Sequence, residues 1–171
     1  MTYTLIGCGE FYNQVREKVW CPWTRKNVGS YTIHIVGDPD AKADYTHLDD
    51  FAAYLVASLY EPKKSANATL NFVSDHISLN EIATLLEKYS GKPVKKDIIP
   101  TKDVQAVIAD PSQAPQELQD GSGFPVAFWY IIKSLQGEGK FCHPKERIDN
   151  GLFPAVQTTT FEKYFAQQFS T

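Results

Sequence analysis

Four side chains in this sequence could give or take a proton beside a bound small molecule. They are the carboxyl group of Glu10, the phenol of Tyr12 and the imidazoles of His47 and His143. Such a group acts as a general acid or base when it lies within hydrogen-bond reach of the reacting atom. Each histidine could equally be an ordinary loop or surface residue, so the interpretation depends on which side chains the fold brings to a pocket.

A dense group of aromatic side chains surrounds the first two candidates. The segment from Phe11 to Trp23 is rich in aromatic residues, and we predict a short helix there that ends before Pro22. Pockets for small organic molecules are mostly apolar and aromatic, with a few polar groups among them. The aromatic side chains could also belong to the hydrophobic core. If they form a pocket, its expected lining is Phe11, Asn13, Trp20, Trp23, Phe128, Trp129 and Tyr130.

The spacing of the glycines and cysteines does not favour a dinucleotide-binding loop or a metal site. A strand from Tyr3 to Ile6 runs into Gly7-Cys8-Gly9, but Tyr12 stands where a dinucleotide-binding loop has its third glycine. We therefore interpret these glycines as a sharp bend. The three cysteines, Cys8, Cys21 and Cys142, share no Cys-x-x-Cys spacing, which argues against a disulfide scaffold or a zinc site. We predict that this chain alone holds no cofactor and no metal.

Composition narrows the class of protein further. The chain has 171 residues, a net charge of −3 and 43% hydrophobic residues, as expected for one soluble globular domain. The slightly acidic balance argues against nucleic acid or an anionic membrane surface as a partner. The sequence has no apolar run of about 18 residues that could span a membrane, and its start does not resemble a secretory signal. We predict a cytoplasmic location with reduced thiols.

The segment from Ile33 to Leu59 organises the predicted fold. Its β-branched run ends at the turn Gly37 to Asp40, and a second short strand runs through Tyr45. A helix capped by Asp49 or Asp50 follows, because a carboxylate there accepts hydrogen bonds from the first free N–H groups. Strand, turn, strand and helix therefore follow one another closely along the chain.

Further elements follow from capping and periodicity. Ser78 and Glu81 predict a capping box before a helix from Leu79 to Tyr89, which ends at Gly91. The loop from Pro111 to Pro125 is either mobile or a lid over a site. The remaining predicted elements are strands at 69–73 and 92–99, helices at 103–110, 126–135 and 161–169, the last capped by Thr159 or Thr160, and an irregular segment at 137–150. This order predicts an α/β fold with a small, few-stranded sheet and flanking helices.

Several segments together resemble a known family. They are the opening YTLIGCGEFYNQ, the pair IHIVGD and YTHLDDFAAY, the segment TLNFVSDHISLNEIATLLEKYSGKPV and the closing LFPAVQTTTFEKYF. In this order, from Tyr3 to Phe169, they resemble the C-terminal, substrate-binding half of NmrA-like and isoflavone-reductase-like proteins. These proteins are atypical members of the short-chain dehydrogenase superfamily. The chain looks in particular like a fungal-type aromatic-alcohol or isoflavone reductase.

The resemblance implies a single substrate-binding-type domain over residues 1–171, without the family's Rossmann domain and its glycine-rich loop. It also implies that Phe11, with Glu10, Tyr12 and Asn13, lies in the stretch near nicotinamide and substrate. The Phe128–Trp129 region matches the helix that closes the pocket. No residue matches the family's catalytic lysine. NADPH is therefore expected only if a Rossmann domain is supplied in trans, and autonomous reduction is not expected.

Two classes of function remain. The first is a redox-neutral enzyme of specialised metabolism, of the cyclase, isomerase or dehydratase type, that holds a hydrophobic aromatic or polyketide-like molecule in an aromatic-lined pocket. The second is a non-catalytic NmrA-like binding or regulatory module, or a subunit or fragment of an NADPH-dependent reductase that needs a separate Rossmann chain. In both classes, a partner or a second copy in a homo-oligomer, such as a dimer, is expected to cover the face vacated by the missing domain.

Overall fold

The computed structural model describes residues 1–170, and within them it has seven β-strands and seven α-helices. The strands are β1 (Thr4–Cys8), β2 (Glu10–Phe11), β3 (Tyr31–Val36), β4 (Lys42–Thr46), β5 (Ala68–Phe72), β6 (Asp75–Ser78) and β7 (Val94–Ile99). The helices are α1 (Leu48–Tyr60), α2 (Pro62–Ser65), α3 (Leu79–Ser90), α4 (Val104–Ala109), α5 (Gln116–Asp120), α6 (Val126–Gly137) and α7 (Phe161–Gln168). No helix in residues 1–170 combines the length and the apolar character that crossing a membrane would require.

The strands form three small sheets. β1 pairs in parallel with β5, and β3 pairs in parallel with β7. β4 lies between β2, to which it is parallel, and β6, to which it is antiparallel. Because parallel pairs cannot be joined by tight hairpins, the intervening helices and loops are needed to connect them. The prediction of an α/β fold with few strands and flanking helices is confirmed.

Two aromatic clusters form much of the core. The larger one brings Trp23 against Phe161 of α7, with ring centroids 5.3 Å apart. The other stacks Trp20 on Trp129 of α6, with centroids 5.8 Å apart. Buried aromatic side chains contribute both apolar area and ring contacts to stability. Much of the aromatic content of the first part of the chain therefore serves the core.

The capping box before α3 is confirmed. The Ser78 hydroxyl accepts a hydrogen bond from the Glu81 amide at 3.2 Å, and the Glu81 carboxylate accepts one from the Ser78 amide at 2.8 Å. At the other end of the helix, Gly91 has a φ of 64°, the left-handed conformation that glycine adopts without steric cost. Both ends of α3 are therefore determined by residues at or next to the helix termini, as the sequence predicted.

A Ser78→Ala variant is expected to lose about 1 kcal/mol in the free energy of unfolding, because the Glu81 amide loses its cap. Urea unfolding measures the loss. Thr84→Ala, an exposed substitution within the same helix, is the matched control and should change stability by less than about 0.5 kcal/mol. Equal losses in the two variants would contradict the assigned role of the cap.

The predicted helix between Phe11 and Trp23 is wrong. The segment instead starts with β2, continues without regular structure and ends in a short 3₁₀ helix, Pro22–Thr24. The Tyr12 amide donates to the Thr46 carbonyl at 3.3 Å, which extends the pairing with β4. Tertiary pairing and aromatic burial therefore override the local sequence signal, as they commonly do in short segments.

The cap of α1 also differs from the prediction. His47 is the N-cap residue, and its Nδ1 accepts a hydrogen bond from the Asp49 amide at 3.3 Å. Asp50 is buried, and its carboxylate accepts hydrogen bonds from Ser74 at 2.6 Å and from the hydroxyl of Thr159 at 2.9 Å. Asp50 therefore ties α1 to the segment that precedes α7 instead of capping α1.

Two later predictions are refined. The segment from Pro111 to Pro125 is not entirely loop, because it contains a 3₁₀ turn at Pro111–Gln113 and the short helix α5. Of the two predicted caps of α7, Thr159 and Thr160, the N-cap residue is Thr160, whose hydroxyl accepts a hydrogen bond from the Lys163 amide at 3.3 Å.

Candidate functional site

An apolar cavity of about 180 Å³ lies between strand β2 and helix α6, and we call it the aryl pocket. In another protein, an apolar cavity of about 150 Å³ binds benzene, so this pocket is large enough for one aromatic ring. Phe128 and Ile132 lie one turn apart on α6 and both contribute to its wall. The full lining is Gly9, Glu10, Phe11, Gln14, Phe124, Phe128, Trp129, Ile132 and Phe141.

A buried ion pair lies at the polar wall of the aryl pocket. The Lys133 ammonium donates to both carboxylate oxygens of Glu10 at 2.7 Å, and its side chain is only 1% exposed. The Gln136 amide also donates to Glu10. The ammonium lies 5.4 Å from the ring centroid of Trp129, within the range of a cation–π contact. Glu10 is thus fixed in place by α6.

A second buried carboxylate fixes the loop in front of α6. Glu17 accepts hydrogen bonds from the hydroxyl of Ser122 at 2.5 Å, the amide of Gly123 at 3.0 Å and the indole N–H of Trp129 at 3.1 Å. The loop it holds carries Phe124, which lines the aryl pocket. The segment from Pro111 to Pro125, predicted to be either mobile or a lid, is therefore held by hydrogen bonds near its C-terminal end, next to the pocket wall.

A more polar cavity of about 250 Å³, which we call the histidine cleft, adjoins the aryl pocket. The two cavities share Gly9 and Phe141 as common wall residues. The cleft is lined by Cys8, Gly9, Asp44, Lys140, Phe141, Cys142 and His143. A ligand with one ring in the aryl pocket could therefore extend its remaining atoms toward His143.

Asp44 holds two imidazoles at the histidine cleft. Its side chain is 1% exposed, and one carboxylate oxygen accepts from His143 Nδ1 at 2.9 Å and from the His143 amide at 2.6 Å. The other oxygen lies 2.8 Å from His76 Nδ1. Because an ionised carboxylate only accepts hydrogen bonds, each Nδ1 carries the proton. His143 lines the cleft, and its side chain is 29% exposed. Because Asp44 binds Nδ1, Nε2 is the ring nitrogen that remains for a ligand.

Gly7 lies within β1 and Gly9 directly follows it, and Gly9 allows close contact with β4 instead of forming a phosphate-binding loop. A Cβ on Gly9 would lie 2.3 Å from the Asp44 carbonyl oxygen, so only glycine fits there. The chain then enters β2, whereas a dinucleotide-binding loop opens a helix whose N–H groups face the pyrophosphate. The residues present around Gly7 and Gly9 thus do not fit a dinucleotide phosphate. Within residues 1–170 no group of three or more potential metal ligands is arranged to hold a metal ion.

Several predicted site residues lie away from both cavities. Tyr12 is fully buried, stacks on Phe161 and donates its hydroxyl to the Thr159 carbonyl at 2.6 Å. Burial raises its pKa, and the negative charges of Asp50 and Asp75 raise it further. The phenol is therefore held protonated in the core. Tyr12 therefore lines neither cavity. Four other predicted residues, Glu10, Phe11, Phe128 and Trp129, line the aryl pocket, and His143 lines the adjoining histidine cleft.

The other predicted residues have structural neighbours of their own. Asn13 lies 3.0 Å from His47 Nε2, and its carbonyl oxygen accepts from the Leu48 amide, so both residues stabilise the start of α1. The indole of Trp23 donates to the Tyr12 carbonyl inside the core. Trp20 packs behind Trp129, and Tyr130 lines a separate cleft on the far side of α6. None of these five appears in the lining of the aryl pocket or the histidine cleft.

Sequence reasoning missed three residues that shape the site. Asp44 lies in a strand, between buried Ala43 and Tyr45, where an unpaired carboxylate would be costly. Lys133 is the one cation in the otherwise apolar helix segment VAFWYIIKSL. Glu17 is similarly buried in a segment rich in aromatic residues. An acidic or basic residue within an apolar element was the available signal, but it does not reveal the partner.

The three thiols are expected to differ in reactivity. Cys142 is exposed, whereas burial raises the pKa of Cys8 and of the fully buried Cys21, the latter further because of nearby Glu10. Since the thiolate is the reactive form, a disulfide reagent at about pH 8 should modify Cys142 first, Cys8 more slowly and Cys21 only after unfolding. A Cys142→Ser variant should lose the fast phase. A fast phase that survives this substitution would contradict the assignment.

Comparison with known proteins adds independent information. The NmrA-like family model matches residues 3–123. A bifunctional pinoresinol-lariciresinol reductase from Linum album is 27% identical over 134 residues, which cover 77% of this chain and 39% of the relative. A phenylcoumaran benzylic ether reductase from Ginkgo biloba is 29% identical over 142 residues, which cover 79% of this chain and 42% of the relative.

Solved structures give the same picture at the level of the fold. A crystal structure of isoflavone reductase superposes with a TM-score of 0.70 at 19% identity, over 98% of this chain and 52% of that one. The complex of leucoanthocyanidin reductase from Vitis vinifera with NADPH also gives 0.70, at 16% identity, over 99% of this chain and 53% of that one. The chain therefore spans about half the length of the proteins that it matches.

Proposed function

This chain belongs to the NmrA-like family. We propose that it binds an aromatic or polyketide-like small molecule and catalyses redox-neutral proton transfer on it. The reaction class is isomerisation, cyclisation or dehydration in specialised metabolism. The observation that carries the proposal is the imidazole of His143, oriented by buried Asp44 in a cleft that shares two wall residues with the aryl pocket.

Binding energy comes from the aryl pocket. Phe124 and Phe128 lie with ring centroids 5.2 Å apart, and Trp129 contacts both rings. Such a set of rings favours a flat apolar ligand, since offset and edge-to-face ring contacts add to the gain from burial. The Glu10 carboxylate supplies a polar group in the same wall. It can accept a hydrogen bond from a ligand hydroxyl and so orient the ring.

Proton transfer is assigned to His143. Its Nδ1 proton is held by Asp44, so Nε2 is the atom that takes a proton from the ligand and returns it to another ligand atom. A carboxylate behind an imidazole fixes its tautomer and stabilises the imidazolium that forms during transfer. For a phenol that closes onto a conjugated double bond, the proton leaves oxygen, the oxygen bonds to the β-carbon, and the α-carbon receives the proton. Nothing is oxidised or reduced in this sequence.

A second candidate function is the substrate-side part of an NADPH-dependent reductase, with a nucleotide-binding domain supplied separately. Two observations favour it: relatives are named as reductases, and α1 leaves Val56, Leu59 and Tyr60 exposed on its surface. An adjoining cleft of about 410 Å³, which we call the α1 cleft, includes Leu55 and Leu59 in its lining. A separate domain or a second copy seated there would cover this apolar surface.

The experiment measures turnover without nucleotide on two probes. Ring closure of 2′-hydroxychalcone is followed by loss of its absorbance, and exchange of the α-protons of a flavanone in D₂O is followed by NMR. The proposal predicts that the chain accelerates both without nucleotide. Binding without acceleration of either probe would favour a binding or regulatory module. Oxidation of NADPH in the presence of an aromatic probe, seen only when a nucleotide-binding domain is added, would favour the reductase.

A further inference from the structure

A fourth cavity, of about 400 Å³, lies between the end of β7, helix α4 and helix α6, and we call it the acidic cleft. Its lining is Asp97, Ile98, Ile99, Pro100, Asp103, Ala106, Val107, Gln113, Pro115 and Tyr130. At 3.6 residues per turn, Tyr130 lies on the opposite side of α6 from Phe128. The acidic cleft is therefore separate from the aryl pocket and shares none of its lining residues.

The acidic cleft contains three side chains whose oxygens can accept hydrogen bonds from a ligand: the carboxylates of Asp97 and Asp103 and the hydroxyl of Tyr130. Tyr130 is 2% exposed, but its hydroxyl reaches solvent at the cleft and makes no hydrogen bond with another residue in the described part of the chain, 1–170. Asp97, Asp103 and Tyr130 all line this cleft. Burial raises the pKa of Tyr130, and the negative charges of Asp103 and Asp97 raise it further. One oxygen of Asp97 accepts from His34 Nδ1 at 2.8 Å, and its other oxygen stays available.

We propose that the acidic cleft binds an alkylammonium group. An ammonium has three N–H donors and no acceptor, which matches the two carboxylates and the partner-free Tyr130 oxygen. The apolar walls formed by Ile99, Val107 and Pro115 suit the methylene chain behind it, as long aliphatic stems pack on apolar surface while the charged end keeps polar partners. The ammonium is carried either by a free alkylamine or by a lysine side chain.

Calorimetric and NMR titration of the full chain with n-hexylamine tests the proposal, with n-hexanol as the neutral probe. The amine is expected to bind at least tenfold more tightly than the alcohol and to shift the Tyr130 ring resonances. Tyr130→Phe removes only the hydroxyl, and Asp103→Asn removes one exposed charge, so both variants keep the fold. Each is expected to weaken amine binding several-fold. Asp49→Asn, whose side chain is 91% exposed on α1, is the charge-matched control and should not change it.

Equal affinity for n-hexylamine and n-hexanol would overturn the proposal. An equal loss of amine affinity in Asp49→Asn and Asp103→Asn would also overturn it, because it would show a general effect of charge. Titration with Nα-acetyl-lysine methylamide separates the two sources of the ammonium. Shifts at Tyr130 with this probe comparable to those with hexylamine identify a lysine side chain as ligand. Shifts with hexylamine alone identify a free amine. No shift at Tyr130 with either probe rejects the site.

Discussion

A His143→Asn variant is expected to lose about 10²- to 10⁴-fold in the rate of proton transfer and to bind the aromatic probe with unchanged affinity. The substitution removes Nε2 and leaves the walls of the aryl pocket in place, because His143 is not part of its lining. Ring closure of 2′-hydroxychalcone gives the rate. Quenching of tryptophan fluorescence, to which Trp129 in the pocket wall contributes, gives the affinity.

His76→Asn is the matched control for this result. His76 binds the same Asp44 carboxylate at 2.8 Å, but it does not line the histidine cleft. The control therefore removes an equivalent imidazole next to the same charge and should retain a rate within about threefold of the parent, well below the effect expected for a general base. Equal rate losses in the two variants would show that the imidazoles only support the fold around Asp44.

A Lys133→Met variant is expected to lose about 3–5 kcal/mol in the free energy of unfolding, because Glu10 would be left as a buried carboxylate without its cation. Methionine keeps most of the volume of the lysine side chain, whose ammonium lies 6.0 Å from the ring centroid of Trp20 and 5.4 Å from that of Trp129. Replacing both partners, in the double variant Glu10→Gln/Lys133→Met, should recover most of the loss. The double variant leaves no unpaired charge in the core, and the attraction within a buried ion pair does little more than offset the cost of removing both charges from water. Urea unfolding of the parent and both variants measures these differences.

Lys88→Met supplies the control on the surface. Lys88 pairs with Glu162 at 3.1 Å, but both side chains are more than half exposed, at 59% and 56%. Exposed pairs typically contribute about 0–1 kcal/mol, so this variant should unfold close to the parent. A Lys133→Met variant that is no less stable than Lys88→Met would contradict the assignment of a dry ion pair at the aryl pocket.

Elements with local signals were predictable from the sequence. The capping box of Ser78 and Glu81, the stop at Gly91 and the apolar periodicity fixed α3 to within a residue or two. The apolar segment that became α6 was expected either to be buried or to cover a pocket; Trp129 is buried, and Phe128 and Trp129 lie in the lining of the aryl pocket. In each case the residues that determine the structure lie within one or two turns of one another.

Pairings between distant residues were not predictable in the same way. Glu10 and Lys133 are 123 positions apart, and Asp44 and His143 are 99 positions apart, so no local pattern relates them. The helix predicted from Phe11 failed for a similar reason, since β4 extends the chain there and the core absorbs its aromatic side chains. A buried charge can be suspected from an apolar neighbourhood, but its partner is fixed only by the fold.

Isotope-filtered NOE spectroscopy of the labelled chain with an unlabelled flavanone tests most directly whether an aromatic ligand binds between Trp129 and His143. The account predicts contacts from ligand ring protons to the side chains of Phe124 and Trp129, together with a contact to Hε1 of His143. Ligand contacts confined to Leu55 and Leu59 in the α1 cleft, with none to Trp129 or His143, would contradict it.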